Sequence, residues 1–285
     1  ADNVSSDFFW KFMLDDAAWQ RTRTKTEPQF RELVTGYVAG FNRYITELKA
    51  GKHPGRHAAC AKGEWLQPIT EADMYRRFVR LSILASSSVF VSEIANAQPP
   101  AIPPGGGSGG GAGLPAPLSD LLAALQEALG GLLGGLSGGG AELPAPKLAQ
   151  AKAIPALGLD ARSHIMGSSL YGVPAVLIGF NEKLAWSHTV SAAYRFTLYE
   201  LKLNPANPTQ YLYDGELRDM TAVPVTVQIK QADGSLKAQS RTLYKSHYGP
   251  MITLSAAGVP ILPWANGLAY TLRDANYEND RLINQ

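Results

Sequence analysis

Apolar residues recur at steps of three and four along the first hundred positions. From Pro28 to Ala50 they fall at Phe30, Leu33, Val34, Tyr37, Val38, Phe41, Tyr44, Ile45 and Leu48, which predicts a helix with one broad core-facing side. Thr26 and Gln29 have capping-box spacing, Pro28 suits a first turn, and Gly51 suits the stop. A second helix is expected from Thr70 past Leu84, through Met74, Phe78 and Leu81. An earlier one is expected over Phe8 to Trp19. After residue 164 the period changes. Val173–Ile178, Leu184–Val190, Phe196–Leu203, Val223–Lys230 and Leu236–Tyr244 are rich in β-branched and aromatic residues and read as strands. Val225, Val227 and Ile229 alternate with Thr226, Gln228 and Lys230, the mark of a strand with one face in water. Asp214-Gly215 and Asp233-Gly234 are hairpin signals. Antiparallel strands from Val173 onward, covered on one face by the early helices, are expected to turn Val176, Ile178, Trp186 and Val190 inward. Helices first and strands later make an α+β protein.

Between these parts lies a different composition. Residues 101–160 hold 15 of the 28 glycines, and no aromatic residue occurs between Phe90 and Tyr171. Glycine-rich runs at Pro103–Gly113 and Gly134–Gly140 bracket a possible amphipathic helix at Leu118–Leu129. Such a segment buries little against the entropy of ordering it, so 101–163 is expected to be a low-order linker. Three parts follow: 1–100 helical, 101–163 glycine-, alanine- and proline-rich, 164–285 antiparallel β.

Charge and chemistry narrow the classes. With 285 residues, 26 basic and 24 acidic, the net charge is +2, which argues against a nucleic-acid or polybasic membrane partner. The longest apolar stretch, Leu118 to Leu136, is interrupted by Asp120, Gln126, Glu127 and glycines, so no membrane span is expected. Ala1 and the polar residues after it give no signal peptide, and the sequence reads as a mature, cut or incomplete form. The single cysteine, Cys60, allows no intrachain disulfide. His53, His57, His164, His188 and His247 have no metal-ligand spacing. No metal and no cofactor is expected.

Several blocks resemble the penicillin acylase family. LVTGYVAGFNRYI (33–45) and EWLQPITEADMYRR (64–77) are similar to its α-subunit. HIMGSSLYGVPAVLIGFNEKLAWSHTV (164–190), FTLYELKL (196–203), HYGP (247–250) and LRDANYEN (272–279) are similar to its β-subunit. The match covers 7–100 and 164–285 and is most like the acyl-homoserine-lactone and aculeacin A-type acylases. It implies an N-terminal-nucleophile hydrolase with an αββα sandwich, here incomplete. Such enzymes are exported to the periplasm or secreted, and one precursor is cut into an α/β two-part assembly. A serine at the new N-terminus, with its own amine as base, attacks a small-molecule N-acyl amide. By position, the backbone N–H of Val190 corresponds to an oxyanion donor. Leu170 and Leu177 match positions lining the acyl pocket. His188 and His247 take the reading of structural histidines.

The sequence also departs from the family. Its Gly-Ser-Asn cleavage block and following Asn-Pro-His-Phe-like run are replaced by the glycine-rich segment, so no nucleophile is identified. Ser108 sits in GGGSGGG, where nothing strains a scissile bond. Ser168 matches a strand start, and Cys60 reads as a loop cysteine. The calcium ligands of penicillin G acylases have no counterpart at Ser191-Ala192-Ala193. Asn276, Asn279 and Asn284 are not assigned to the later asparagine donor. Two functions stay open: an amide hydrolase of this family, inactive as given for want of the serine, or a non-catalytic acylase-like scaffold or ligand-binding fragment. An artificial joining of two acylase fragments by a linker would give the same pattern.

Overall fold

The computed structural model describes residues 2–53, 55, 60–84, 86–101, 165–170, 172–174, 176–187, 194–256 and 259–277. The expected helix at Leu118–Leu129 and the low order expected of 101–163 thus lie outside the described residues, apart from residue 101. The chain divides into two compact units. One comprises Ala1–Gly109, Tyr171–Pro174 and Ser191–Gln285; the other comprises Gly110–Leu170 and Ala175–Val190.

In the first unit, α1 (Asn3–Met13) starts at Asp2, whose carboxylate accepts from Ser5 N at 2.7 Å. Phe8, Phe9, Phe12 and Met13 are fully buried along one stripe. The helix expected over Phe8–Trp19 is in fact two. Asp15 is extended and caps α2 (Asp16–Lys25), accepting from Ala18 N at 2.9 Å. A capping aspartate after Leu14 ends one helix by starting another. The 22-residue α3 (Pro28–Lys49) begins with Pro28 in its first turn and ends at Gly51, φ +74°. Its expected capping box does not form. Glu27 is the N-cap without a side-chain bond, and the Thr26 hydroxyl donates back to Thr22 O at 2.7 Å. The box lies one helix later, at α4 (Glu71–Ser82), between Thr70 and Asp73. α4 stops at Ser82 rather than beyond Leu84. A 3₁₀ turn (Ser87–Phe90) and the short α5 (Val91–Ala95) follow. Val34, Met74, Tyr75 and Phe78 form the core of the helical part.

The strands of this unit are antiparallel. A five-stranded sheet has the order β6 (Glu216–Asp219), β5 (Asn207–Tyr213), β4 (Phe196–Asn204), β12 (Leu268–Asp274), β9 (Met251–Ile252). β7 (Thr221–Lys230) and β8 (Leu236–Lys245) form a long hairpin, and β10 (Leu254–Ala256) pairs with β11 (Val259–Leu262). Val225 and Val227 are buried while Thr226 and Gln228 are exposed, as their alternation predicts. Asp214 and Gly215 both take positive φ, 52° and 83°, in the tight turn joining β5 to β6. Leu201, Leu203, Tyr211, Met220, Met251 and Trp264 make the core beside the sheet. α1 packs on β7 and α5 on β9. Lys11 Nζ on α1 donates to Thr226 O on β7 at 2.8 Å, and Lys245 at the end of β8 pairs with Asp15, the N-cap of α2, at 2.9 Å.

The second unit, in its described residues, is a three-stranded antiparallel meander: β1 (Met166–Ser168), β2 (Ile178–Phe180) and β3 (Ala185–Trp186). Among the described residues of both units, no single helix is long and apolar enough to cross a membrane.

Candidate active-site sheet

Two of the residues that the sequence marks, Leu170 and Leu177, flank the strands of the meander. Asn181 builds its β2–β3 hairpin. The Asn181 carboxamide oxygen accepts from Lys183 N at 2.9 Å and Leu184 N at 2.8 Å, and Asn181 N donates to Leu184 O at 2.8 Å. This turn aims β3 so that Trp186 lies opposite Gly179. Gly167 and Gly179 face each other across β1 and β2. A Cβ on Gly167 would stand 2.1 Å from Ile178 O and 2.4 Å from Val176 Cγ1; one on Gly179 would stand 2.5 Å from Met166 O. The two glycines let the strands meet closely and leave a notch that the Val176 side chain fills. The Trp186 indole N–H donates to Val176 O at 3.2 Å, and Leu177 N to Ser168 O at 3.0 Å. Backbone 176–177 is therefore held from both β1 and β3.

The proposed lining residues sit on this frame. Leu177 is half-buried, directly before β2, and Leu170, just after β1, is 49% exposed. Ser168 is an exposed β1 residue. The inward set expected here is corrected. Val176 and Ile178 are exposed and Trp186 is half-buried. Of the strand expected over Val173–Ile178, only Ile178 lies in β2, which runs on to Phe180. Strands of three, three and two residues are too short to bury a face of their own. Val190 lies outside the described residues. So do His188, Ser108, Asn279, Asn284 and Ser191–Ala193.

The remaining candidates fall elsewhere. Cys60 is half-buried at a turn, its carbonyl accepting from Gly63 N at 2.9 Å. Asn276 N donates to Asp274 at 2.9 Å, a structural bond. His247 has its Nδ1 2.7 Å from Tyr211 Oη. Among the described residues no group of three or more His, Cys, Asp or Glu side chains could hold a metal. The sequence reading missed Asn181 and the Gly167–Gly179 pair; an Asn two residues before a loop lysine, and glycines inside strand-like runs, were the signals available.

The penicillin amidase family model matches residues 149–284. The chain is 32% identical over 292 residues to the acyl-homoserine lactone acylase PvdQ of Pseudomonas fluorescens, an alignment covering 100% of this chain and 36% of that protein. It is 31% identical over 264 residues to the aculeacin-A acylase of Actinoplanes utahensis, covering 88% of this chain and 32% of that one. Among solved structures, a thermostable penicillin G acylase from Alcaligenes faecalis is similar over 39% of this chain and 18% of its own, with 23% identity and a TM-score of 0.32. The chain spans about a third of the length of these curated relatives.

Proposed function

We propose that the chain, similar to the penicillin amidase family over residues 149–284, is a member of that family that carries the scaffold of an N-acyl amide hydrolase without completing the catalytic centre. Its substrate class would be a small N-acyl amide, in keeping with the acyl-homoserine lactone and aculeacin named for its relatives. The observation that carries the reading is the glycine-rich stretch from Pro103 to Gly140. It stands where the family's nucleophile block would come, between two blocks of family-like sequence.

In this reading 1–100 is the α-subunit-like part, 101–163 replaces the nucleophile block, and 164–285 is the β-subunit-like part. The whole protein would build two stacked sheets between helical layers and would be exported. Acyl transfer in the family runs through a serine hydroxyl beside a free α-amine. The hydroxyl attacks the amide carbonyl, the amine takes its proton, and backbone donors stabilise the oxyanion. Here the Val190 N–H would be one such donor. Leu170 and Leu177 would offer an apolar wall to an acyl chain. Polarising a carbonyl is not cleavage. Losing one oxyanion donor costs roughly 100- to 1000-fold, and without a nucleophile the acyl-enzyme route closes.

The test is an assay of the purified chain with a long-acyl homoserine lactone and with a penicillin, beside intact-mass measurement. The expected result is one unbroken chain of 30.6 kDa and no release of acid. Released fatty acid with a trapped acyl-serine would overturn the reading, and Ser108 would be the first residue to examine. Saturable binding of the lactone without turnover would support a scaffold that keeps its acyl pocket.

A further inference from the structure

The turn from Ser246 to Pro250 lays two rings on tyrosines of the five-stranded sheet. Tyr248 stacks on Tyr199 with centroids 3.9 Å apart and planes at 5°. His247 meets Tyr213 edge-on at 4.3 Å. Two hydrogen bonds converge on one atom, the hydroxyl of the buried Tyr211. The His247 backbone N–H donates to it at 3.2 Å, and it lies 2.7 Å from His247 Nδ1. With the neutral imidazole protonated on Nε2, every group at this junction is paired. In that tautomer Tyr211 Oη accepts from the backbone and donates to Nδ1, which gives its buried hydrogen an acceptor.

We propose that His247 is a proton-operated latch: neutral, it holds residues 247–248 against β5; protonated, it lets them go. A proton on Nδ1 turns that nitrogen into a donor. Tyr211 Oη then faces two donors, and its own hydrogen loses its acceptor in a buried position. The charged groups bearing on the ring are both cations, Arg218 from β6 and Arg273 from β12. The other titratable side chains around it are the phenols of Tyr199 on β4, Tyr211 and Tyr213 on β5, and Tyr248 beside it. Desolvation first, then the two arginines, hold the imidazole pKa below its usual 6.5. His247 itself is exposed, so protons reach it.

The base of the turn has no titrating support. Gly249 O accepts from Ser246 N at 2.8 Å and from the Thr271 hydroxyl at 2.9 Å. Release is therefore local: the two rings swing away while the ends of β8 and β9 stay in place. What acid uncovers is an aromatic surface of Tyr199 and Tyr213, with Arg218 lying 4.0 Å above the Tyr213 ring. That surface would suit a planar or anionic group.

The test is amide hydrogen exchange of the intact chain between pH 8 and 5, corrected for intrinsic rates, beside an NMR titration of the His247 ring. Protection at the His247 and Tyr248 amides should fall by about 10-fold, the worth of one such bond, in step with the ring titration. His247→Gln keeps an acceptor for Tyr211 that does not titrate, so its protection should stay high down to pH 5. Tyr211→Phe should lack protection at His247 at every pH. Flat protection across the ring titration, the same step in His247→Gln, or a ring still neutral at pH 5 would each overturn the latch.

Discussion

Asp274, buried on β12, accepts hydrogen bonds from both the backbone amide, at 2.9 Å, and the hydroxyl of Ser87 in the 3₁₀ turn of the helical part. The Ser86 hydroxyl donates to the same carboxylate oxygen at 2.6 Å. The other oxygen accepts from Asn276 N at 2.9 Å and Tyr277 N at 3.3 Å. The donors are neutral dipoles, so a buried charge is held by five hydrogen bonds. Residues 187 apart in sequence are thereby tied together.

Asp274→Ala should therefore destabilise the chain by about 3 kcal/mol, since it strands buried donors as well as losing charge-assisted bonds. Ser86→Ala, which removes one donor and leaves the others, should cost about 1 kcal/mol. Urea unfolding of both variants checks the order. Equal costs would mean that the carboxylate is held by solvent rather than by the turn.

The same pair marks what the sequence could and could not convey. The apolar period of α3 and the alternation of Val225, Val227 and Ile229 are local patterns, and the elements form where the patterns stand. The break at Leu14–Asp15 was also local, but an aspartate can cap or merely face water, and only the bond to Ala18 decides. Asn266-Gly267 is a strong local turn signal, and its φ values of 54° and 77° make the tight turn into β12. The burial expected for Val176 and Ile178 failed for another reason. Apolar alternation says that a strand has an apolar face, not that a layer covers it. Asp274 looks like any surface aspartate in LRDANYEN, because its partners come from another element. In the candidate site, the strand-like runs were legible, while the notch between Gly167 and Gly179 depends on register.

Gly249 should be far less replaceable than Gly215. Its φ is 150°, and a Cβ there would lie 2.2 Å from Leu272 O, a backbone atom with no rotamer to change. Gly215, at φ +83°, has open space around the same position. Gly249→Ala should cost about 3 kcal/mol or more, combining strain with displaced backbone, and Gly215→Ala about 1 kcal/mol. Thermal unfolding of the two variants is the comparison. A Tm for Gly249→Ala near that of the parent would show that the strand pair yields easily.

His247 should contribute to a fall in stability as the pH drops from 7 to 5. Its folded-state pKa is held below the unfolded value of 6.5, first by desolvation of the ring face that meets the tyrosines and then by Arg218 and Arg273. The unfolded chain thus binds the proton more readily. The stabilisation is complete above about pH 6.5 and is lost as the pH falls through the lower folded-state value. The carboxylates of Asp2, Asp16, Glu47 and Asp233, held low mainly by hydrogen bonds, act only in more acid solution, below the ordinary carboxylate range. Urea midpoints at pH 7 and pH 5 for the parent and for His247→Gln test the assignment. The variant should show the smaller drop, and an equal drop in both would place the effect elsewhere.

Tyr75 offers a prediction of the opposite sign. Its ring is fully buried among Val34, Met74 and Phe78, edge-on to Phe78 with centroids 5.9 Å apart. Its hydroxyl has no hydrogen-bond partner among the described residues. Burial, and then the negative charge of Glu71, push its pKa above 10.0, so the phenol stays neutral and carries a donor that nothing accepts. Folding strips water from that hydroxyl and no described residue replaces it, a cost of about 1 to 3 kcal/mol. Tyr75→Phe keeps the ring, its packing and its edge-on contact while removing the stranded group. The variant should be more stable than the parent by about 1 kcal/mol, raising the urea midpoint with the m-value unchanged. Tyr211→Phe, whose hydroxyl is bonded twice, should move the midpoint the other way. A loss of stability in Tyr75→Phe would mean that the hydroxyl holds a buried water, and a slow-exchanging water near Tyr75 in NMR would identify it.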